Sequence, residues 1–244
     1  MTATRFAVSI PAAAIGIIAA CLSIVGHETI GHGGACLAAG GHVTLLNIVD
    51  FHCAIARPWI DLAGPAGNLA LALVGALLAR PALPSGARLL GLILFAINAF
   101  WIAGYLVYAG VLNAGDWAYP AQAFMAREAP WRPIAIIVGA ALYVLIMRRI
   151  AAWTPLAAAD VLRTAYVAAS VATVLAAALY APARGHVVQQ AFLEMGAASL
   201  GLWFAVRRAR GAGDWTPPTS PVWAGMALVL FVALAAIQGP GLPR

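Results

Sequence analysis

Long apolar runs separated by short polar stretches dominate this chain. A bilayer span takes about 20 apolar residues. Seven runs reach or approach that length, near 6–38, 60–79, 89–111, 133–147, 164–182, 188–206 and 221–238. They are built from Ala, Leu, Val and Ile without strand-like alternation, which predicts helices and argues against a barrel. The first run exceeds one bilayer thickness and turns glycine-rich (Gly31, Gly33, Gly34, Gly40, Gly41), so it is expected to tilt, kink or end early. Residues 42–58 differ: HVTLLNIVDFHCAIARP is rich in β-branched residues and partly alternates, predicting a short strand or hairpin at the membrane edge. Pro81, Pro84 and Gly86 mark a tight turn, 112–131 a polar, aromatic loop containing Asp116 and Glu128, and 209–220 a polar linker. The predicted fold is an all-α polytopic membrane protein of about seven transmembrane helices, with a short β segment near 42–58.

Composition sharpens this picture. The 244 residues are 64% hydrophobic and 9% charged, against about 25% charged in soluble domains. The net charge of +6 comes from 14 arginines, with no lysine. They sit between the apolar runs or near the chain ends, a pattern of topology signals and lipid contacts that excludes nucleic acid as a partner. With the N-terminus inside, nine arginines fall on the inner side (Arg5, Arg80, Arg88, Arg148, Arg149, Arg163, Arg207, Arg208, Arg210). Five fall outside (Arg57, Arg127, Arg132, Arg184, Arg244). Arginine without lysine, beside abundant Ala and Gly, suggests a GC-rich bacterial genome and the inner (cell) membrane. The stretch from Arg5 to Val25 looks like a signal peptide but lacks a clear cleavage site, so a retained first span is expected.

The chemistry concentrates at His27-Glu28-Thr29-Ile30-Gly31-His32, where the first run ends. Ionisable groups at membrane depth are costly and mark function. Two imidazoles beside a carboxylate match the parts of a metallohydrolase: metal ligands and a base. The spacing poses a geometric problem. On a regular α-helix, residues five apart lie roughly 140° apart in azimuth, against roughly 40° for residues four apart. An inserted π-type turn would bring His27 and His32 onto one face, and Gly31, Gly33 and Gly34 make it cheap. Alternatively Glu28 and His32, four apart, both bind metal and the base lies elsewhere. The π turn is preferred because it leaves Glu28 as base. Asp116, after a long apolar helix, is the best third ligand. The opposing possibility is a buried polar network that holds no metal.

Asp61-Leu-Ala-Gly64-Pro65-Ala-Gly67-Asn68 opens the second run, with Gly64 and Pro65 disturbing the helix and Asn68 offering donors and acceptors within the bilayer. His42 and His52 bracket the β segment as interfacial polar residues. His186 reads as a solvated loop residue, and Glu194 as a group lining a cavity or reaching water near a helix end. Cys36 and Cys53 flank one loop and pair only if it faces an oxidising space; free thiols are the expectation, as for Cys21.

These motifs, in this order, resemble the site-2 protease family of intramembrane zinc metalloproteases. That family has His-Glu-x-x-His on a first core helix, then a membrane-associated β segment, a Gly-Pro-x-x-Asn motif and a zinc-binding Asp. The counterparts are His27-Glu28 with His32, residues 42–58, Gly64-Pro65 with Asn68, and Asp116 after the helix that ends at Asn113. Here three residues rather than two separate Glu28 from His32, and the Asp motif reads Gly-Asp-Trp rather than Leu-Asp-Gly. The resemblance covers residues 1–125, a core of three spans, and leaves 126–244 as additional helices of unassigned role. It implies a peptidase cutting membrane protein or peptide substrates in or near the bilayer. Zn2+ would be held by His27, His32 and Asp116, with Glu28 as base and Gly64, Pro65, Asn68 and Asn113 contacting substrate. The rival classes are a transporter or non-catalytic membrane protein with buried ionisable groups, and a di-iron oxygenase, which five histidines with no adjacent pair disfavour.

Overall fold

The computed structural model describes residues 9–125, 130–211 and 218–242. Arg5, Arg127, Glu128 and Arg244, used in the charge and loop readings above, lie outside them. Ser9 begins the first helix, its hydroxyl accepting from the Ala12 amide (3.4 Å) with Pro11 in the first turn. Helix α1 (Ile10–Ile24) continues without a break into a π-helical stretch (Val25–Gly33) and then α2 (Gly34–Ala38). The hairpin β1 (Val43–Leu46) and β2 (Phe51–Cys53) follows, antiparallel with Leu46 opposite Phe51. Its turn is closed by the Asn47 side chain, whose Oδ1 accepts from the Val49 and Asp50 amides. Next come α3 (Pro58–Leu78), α4 (Ser85–Leu112), the short α5 (Ala118–Phe124), α6 (Trp131–Trp153) and α7 (Ala159–Ala177). The chain then runs through α8 (Arg184–Ala191), a second π stretch (Phe192–Ala197), a 3-10 turn (Ala198–Leu200) and α9 (Gly201–Ala205) to α10 (Val222–Ile237).

This is an all-α, membrane-type bundle with one small sheet. Among the described residues, five helical stretches are long and apolar enough to cross a bilayer: Ile10–Ala38, Pro58–Leu78, Ser85–Leu112, Trp131–Trp153 and Leu156–Ala177. The other two predicted spans take different forms. Residues 188–206 change pitch repeatedly, and Val222–Ile237 is a shorter apolar helix of 16 residues. Outward-facing Leu73, Leu77, Ile137, Leu145, Leu175 and Val229 are exposed, as a lipid-facing surface requires. Inside, helices approach through glycines. A Cβ at Gly16 would strike the Ala165 backbone, one at Gly75 that of Phe95, and one at Gly67 the Gly26 carbonyl.

The two ends of the bundle are distinct. At one, the Gly211 amide bonds to the Thr154 carbonyl (2.9 Å) and Arg88 reaches the Trp153 carbonyl (3.5 Å). At the other, Gln238 donates to Thr29 (2.6 Å), the Leu242 amide bonds to the Leu46 carbonyl (3.0 Å), and His186 faces Asp50 (3.8 Å). Cys36 and Cys53 form a disulfide at this second end, against the expectation of free thiols. The tight turn after α2 and the hairpin register bring β2 back over α2, a proximity that a separation of 17 residues does not reveal.

Candidate metal centre

The π-helical stretch solves the spacing problem. It adds a residue to the turn between His27 and His32 and turns both rings to one side. Their Nε2 atoms lie 3.2 Å apart. Asp116 arrives from the loop after α4, where Asn113 (φ 57°) and Gly115 (φ 85°) take left-handed conformations and reverse the chain. Its Oδ2 is 3.0 Å from His27 Nε2 and 3.2 Å from His32 Nε2. Burial alone would raise the Asp116 carboxyl; hydrogen bonds from the two histidines outweigh it and bring the pKa down to about 2.

Surrounding groups hold the rings in place. His32 Nδ1 lies 2.8 Å from the Ile60 carbonyl. A carbonyl only accepts, so Nδ1 donates to it; with Nδ1 held in that bond, Nε2 is the nitrogen that would give up its proton to Asp116 and turn its lone pair to a metal ion. The His32 ring stacks on Phe51 of β2 (5.4 Å) and the His27 ring on Trp101 of α4 (4.7 Å). Gly64 of α3 packs against both imidazoles. A Cβ there would overlap His32 Nε2 and come within 2.8 Å of His27 Nε2. Gly31 likewise meets the Ala63 carbonyl, so the π stretch and α3 lie nearly backbone to backbone.

His27, His32 and Asp116 could together hold a metal ion. The donor set, two imidazole nitrogens and a carboxylate oxygen, is one that zinc accepts. Separations of 3.0 to 3.2 Å approach the roughly 3.3 Å between tetrahedral ligands about 2.05 Å from zinc. Glu28 is 2% exposed; its Oε1 is 3.9 Å from His27 Nε2 and its Oε2 has no hydrogen-bond partner among the described residues.

The centre opens into a cavity of about 360 Å³. Nine histidine and acidic side chains line it: His27, His32, His52 and His186, with Glu28, Asp50, Asp61, Asp116 and Glu194. They include four of the chain's five histidines and five of its eight acids. Gly64, Pro65, Asn68 and Asn113 are not among the lining residues. Gly64 packs against the Nε2 edges of both imidazoles, Pro65 and Asn68 are buried, and Asn113 caps α4 while accepting from Gln122. His52 and His186 reach the cavity although the sequence reading put them at the interface and in a solvated loop; His42 does not. Asp61, Glu194 and Gln190 belong to the wall too, so residues beyond 125 complete it. For Glu194 the signal was a lone acid inside an apolar run. For Asp61 it was an acid just before Gly64-Pro65.

No family model, curated protein or solved structure matches this chain.

Proposed function

We propose that this chain is a zinc-dependent intramembrane peptidase, a divergent relative of the site-2 proteases, acting on membrane protein or peptide segments. One observation carries the reading. His27 Nε2, His32 Nε2 and Asp116 Oδ2 lie within 3.2 Å of one another beside a buried carboxylate, inside a membrane-type bundle. A zinc ion held by His27, His32 and Asp116 would supply Lewis acidity to a scissile carbonyl and to a water. Glu28, whose Oε2 has no hydrogen-bond partner among the described residues, would accept the water's proton as its oxygen adds to the carbonyl carbon, and would pass it to the amine as the C–N bond breaks. Phe51 and His52 put β2 on the cavity wall, where it offers an edge to an extended substrate strand. That matters because a helical peptide bond is shielded from attack.

Two observations support a cavity opening outside the cell membrane. Among the described residues, eight arginines belong to the end away from the site and three (Arg57, Arg132, Arg184) to the site end, which under the positive-inside rule makes the far end cytoplasmic. The Cys36–Cys53 disulfide beside the cavity requires an oxidising space.

The test is hydrolysis of transmembrane peptides by the purified protein in lipid nanodiscs, read by mass spectrometry, with zinc measured on the same samples. Glu28→Gln is expected to keep zinc and lose cleavage. Cleavage at the wild-type rate by Glu28→Gln would refute the assignment.

A further inference from the structure

A second cavity of about 650 Å³ adjoins the first, lying between α4, α6 and the 190–198 stretch. Its walls are apolar and aromatic, among them Trp101, Gly104, Val107, Tyr143 and Leu193. Tyr105, Tyr108, Gln190 and Glu194 line both cavities, so they form the passage between groove and metal centre. Glu194 is the acidic member of that passage. It sits on the second π stretch, and its Oε2 is shielded from solvent with no hydrogen-bond partner among the described residues.

The charge balance of the polar cavity is lopsided. The chain as a whole carries +6, yet among the described residues no arginine lines this cavity, while five carboxylates do. On the peptidase reading, Asp116 and Glu28 offset the two positive charges of a divalent cation, and Asp50 faces His186 at 3.8 Å. Among the described residues, neither Asp61 nor Glu194 forms an ion pair. An uncompensated carboxylate beside an apolar groove is costly, and so is a lone cation within an otherwise apolar segment. Each relieves the other when they meet.

We propose that Glu194 is a specificity residue that receives one lysine or arginine side chain of the substrate, while the apolar remainder of the segment lies in the groove. The favoured substrate is a hydrophobic membrane segment bearing a single positive charge near the bond to be cut. The proposal rests on the peptidase reading for the cleavage it serves, but the binding preference can be measured without cleavage.

The experiment uses full-length Glu28→Gln protein in nanodiscs and three fluorescent Leu/Ala peptides that differ only in a central lysine, norleucine or glutamate. Anisotropy is expected to give the lysine peptide about tenfold tighter binding than norleucine, with glutamate weakest. The preference is expected to vanish in Glu28→Gln/Glu194→Gln and to persist in part with Glu194→Asp, at unchanged zinc content. Equal affinity for the lysine and norleucine peptides in Glu28→Gln overturns the proposal, whatever the fate of the double variant. A preference that survives Glu194→Gln also overturns it. Failure of the wild type to cut a lysine peptide that it binds selectively counts against the peptidase reading and not against Glu194.

Discussion

Gly64→Ala isolates the packing on which the centre depends. The backbone at 64 is helical, so alanine is conformationally acceptable, and in an exposed helix it would stabilise by roughly 0.5–1 kcal/mol. Here the added methyl has no room. It would lie 2.6 Å from His32 Cε1 and 2.8 Å from His27 Nε2, and closer still to His32 Nε2. The rings are stacked on Phe51 and Trp101, and His32 is tied to the Ile60 carbonyl, so neither gives way without losing a contact. Overpacking of this kind costs about 1–3 kcal/mol. Disturbing groups that orient metal ligands costs about 10–100-fold in affinity. Titration of zinc against a chromophoric chelator is therefore expected to show at least the lower end of that loss, together with a lower melting temperature. Gly34→Ala is the control, because a Cβ there meets nothing within 4 Å. If Gly64→Ala binds zinc as tightly as wild type while Gly34→Ala behaves the same, the imidazoles are not the ligands held by this packing.

Other substitutions probe separate parts of the account. Asp116→Asn is expected to weaken zinc binding severely while leaving the helical circular dichroism signal in place. The same carboxyl has a folded pKa of about 2 against an ordinary 3.8, so its ionised form stabilises the fold above about pH 4 and this contribution is lost as the pH falls toward 2. Thermal melts from pH 5 to 2.5 should therefore fall more steeply for wild type than for Asp116→Asn, and parallel curves would contradict the coupling. Reducing Cys36–Cys53, or changing Cys53 to Ser, is expected to cost about 3 kcal/mol for a loop of this size and to loosen β2, lowering zinc affinity through the Phe51–His32 stack. Unchanged chemical stability with and without reductant would show the bridge to be absent. Trp101→Leu removes the surface under His27 and is expected to weaken zinc binding about tenfold, read by the same chelator competition.

The elements that sequence periodicity made legible are those whose burial depends on length and apolarity alone. The stretches through α4 and α6 match the predicted runs because twenty apolar residues have few other solutions. The π turn was also legible, because five-residue spacing of two imidazoles admits no regular helix that brings them together and the nearby glycines make the distortion inexpensive. The Cys36–Cys53 bridge was not, since it depends on the bulged hairpin register and the turn after α2. Asn113 ends α4 in a left-handed conformation that turns the chain toward Asp116, a bend that the apolar pattern of α4 does not display. Gly64 was read for helix disturbance, while its role is closeness to the rings, a relation between two helices that one helix's sequence does not display. Glu194, His186 and Asp50 come together only through tertiary packing of the second half of the chain onto the first.

X-ray absorption at the zinc edge on the purified protein tests the central claim most directly. The account predicts one zinc per chain with nitrogen and oxygen neighbours at about 2.0–2.1 Å, two of them imidazoles, and loss of that signal in a His27→Ala/His32→Ala/Asp116→Ala variant that still folds. Zinc that persists with an unchanged spectrum in the triple variant, or wild-type protein that takes up no metal, would contradict it.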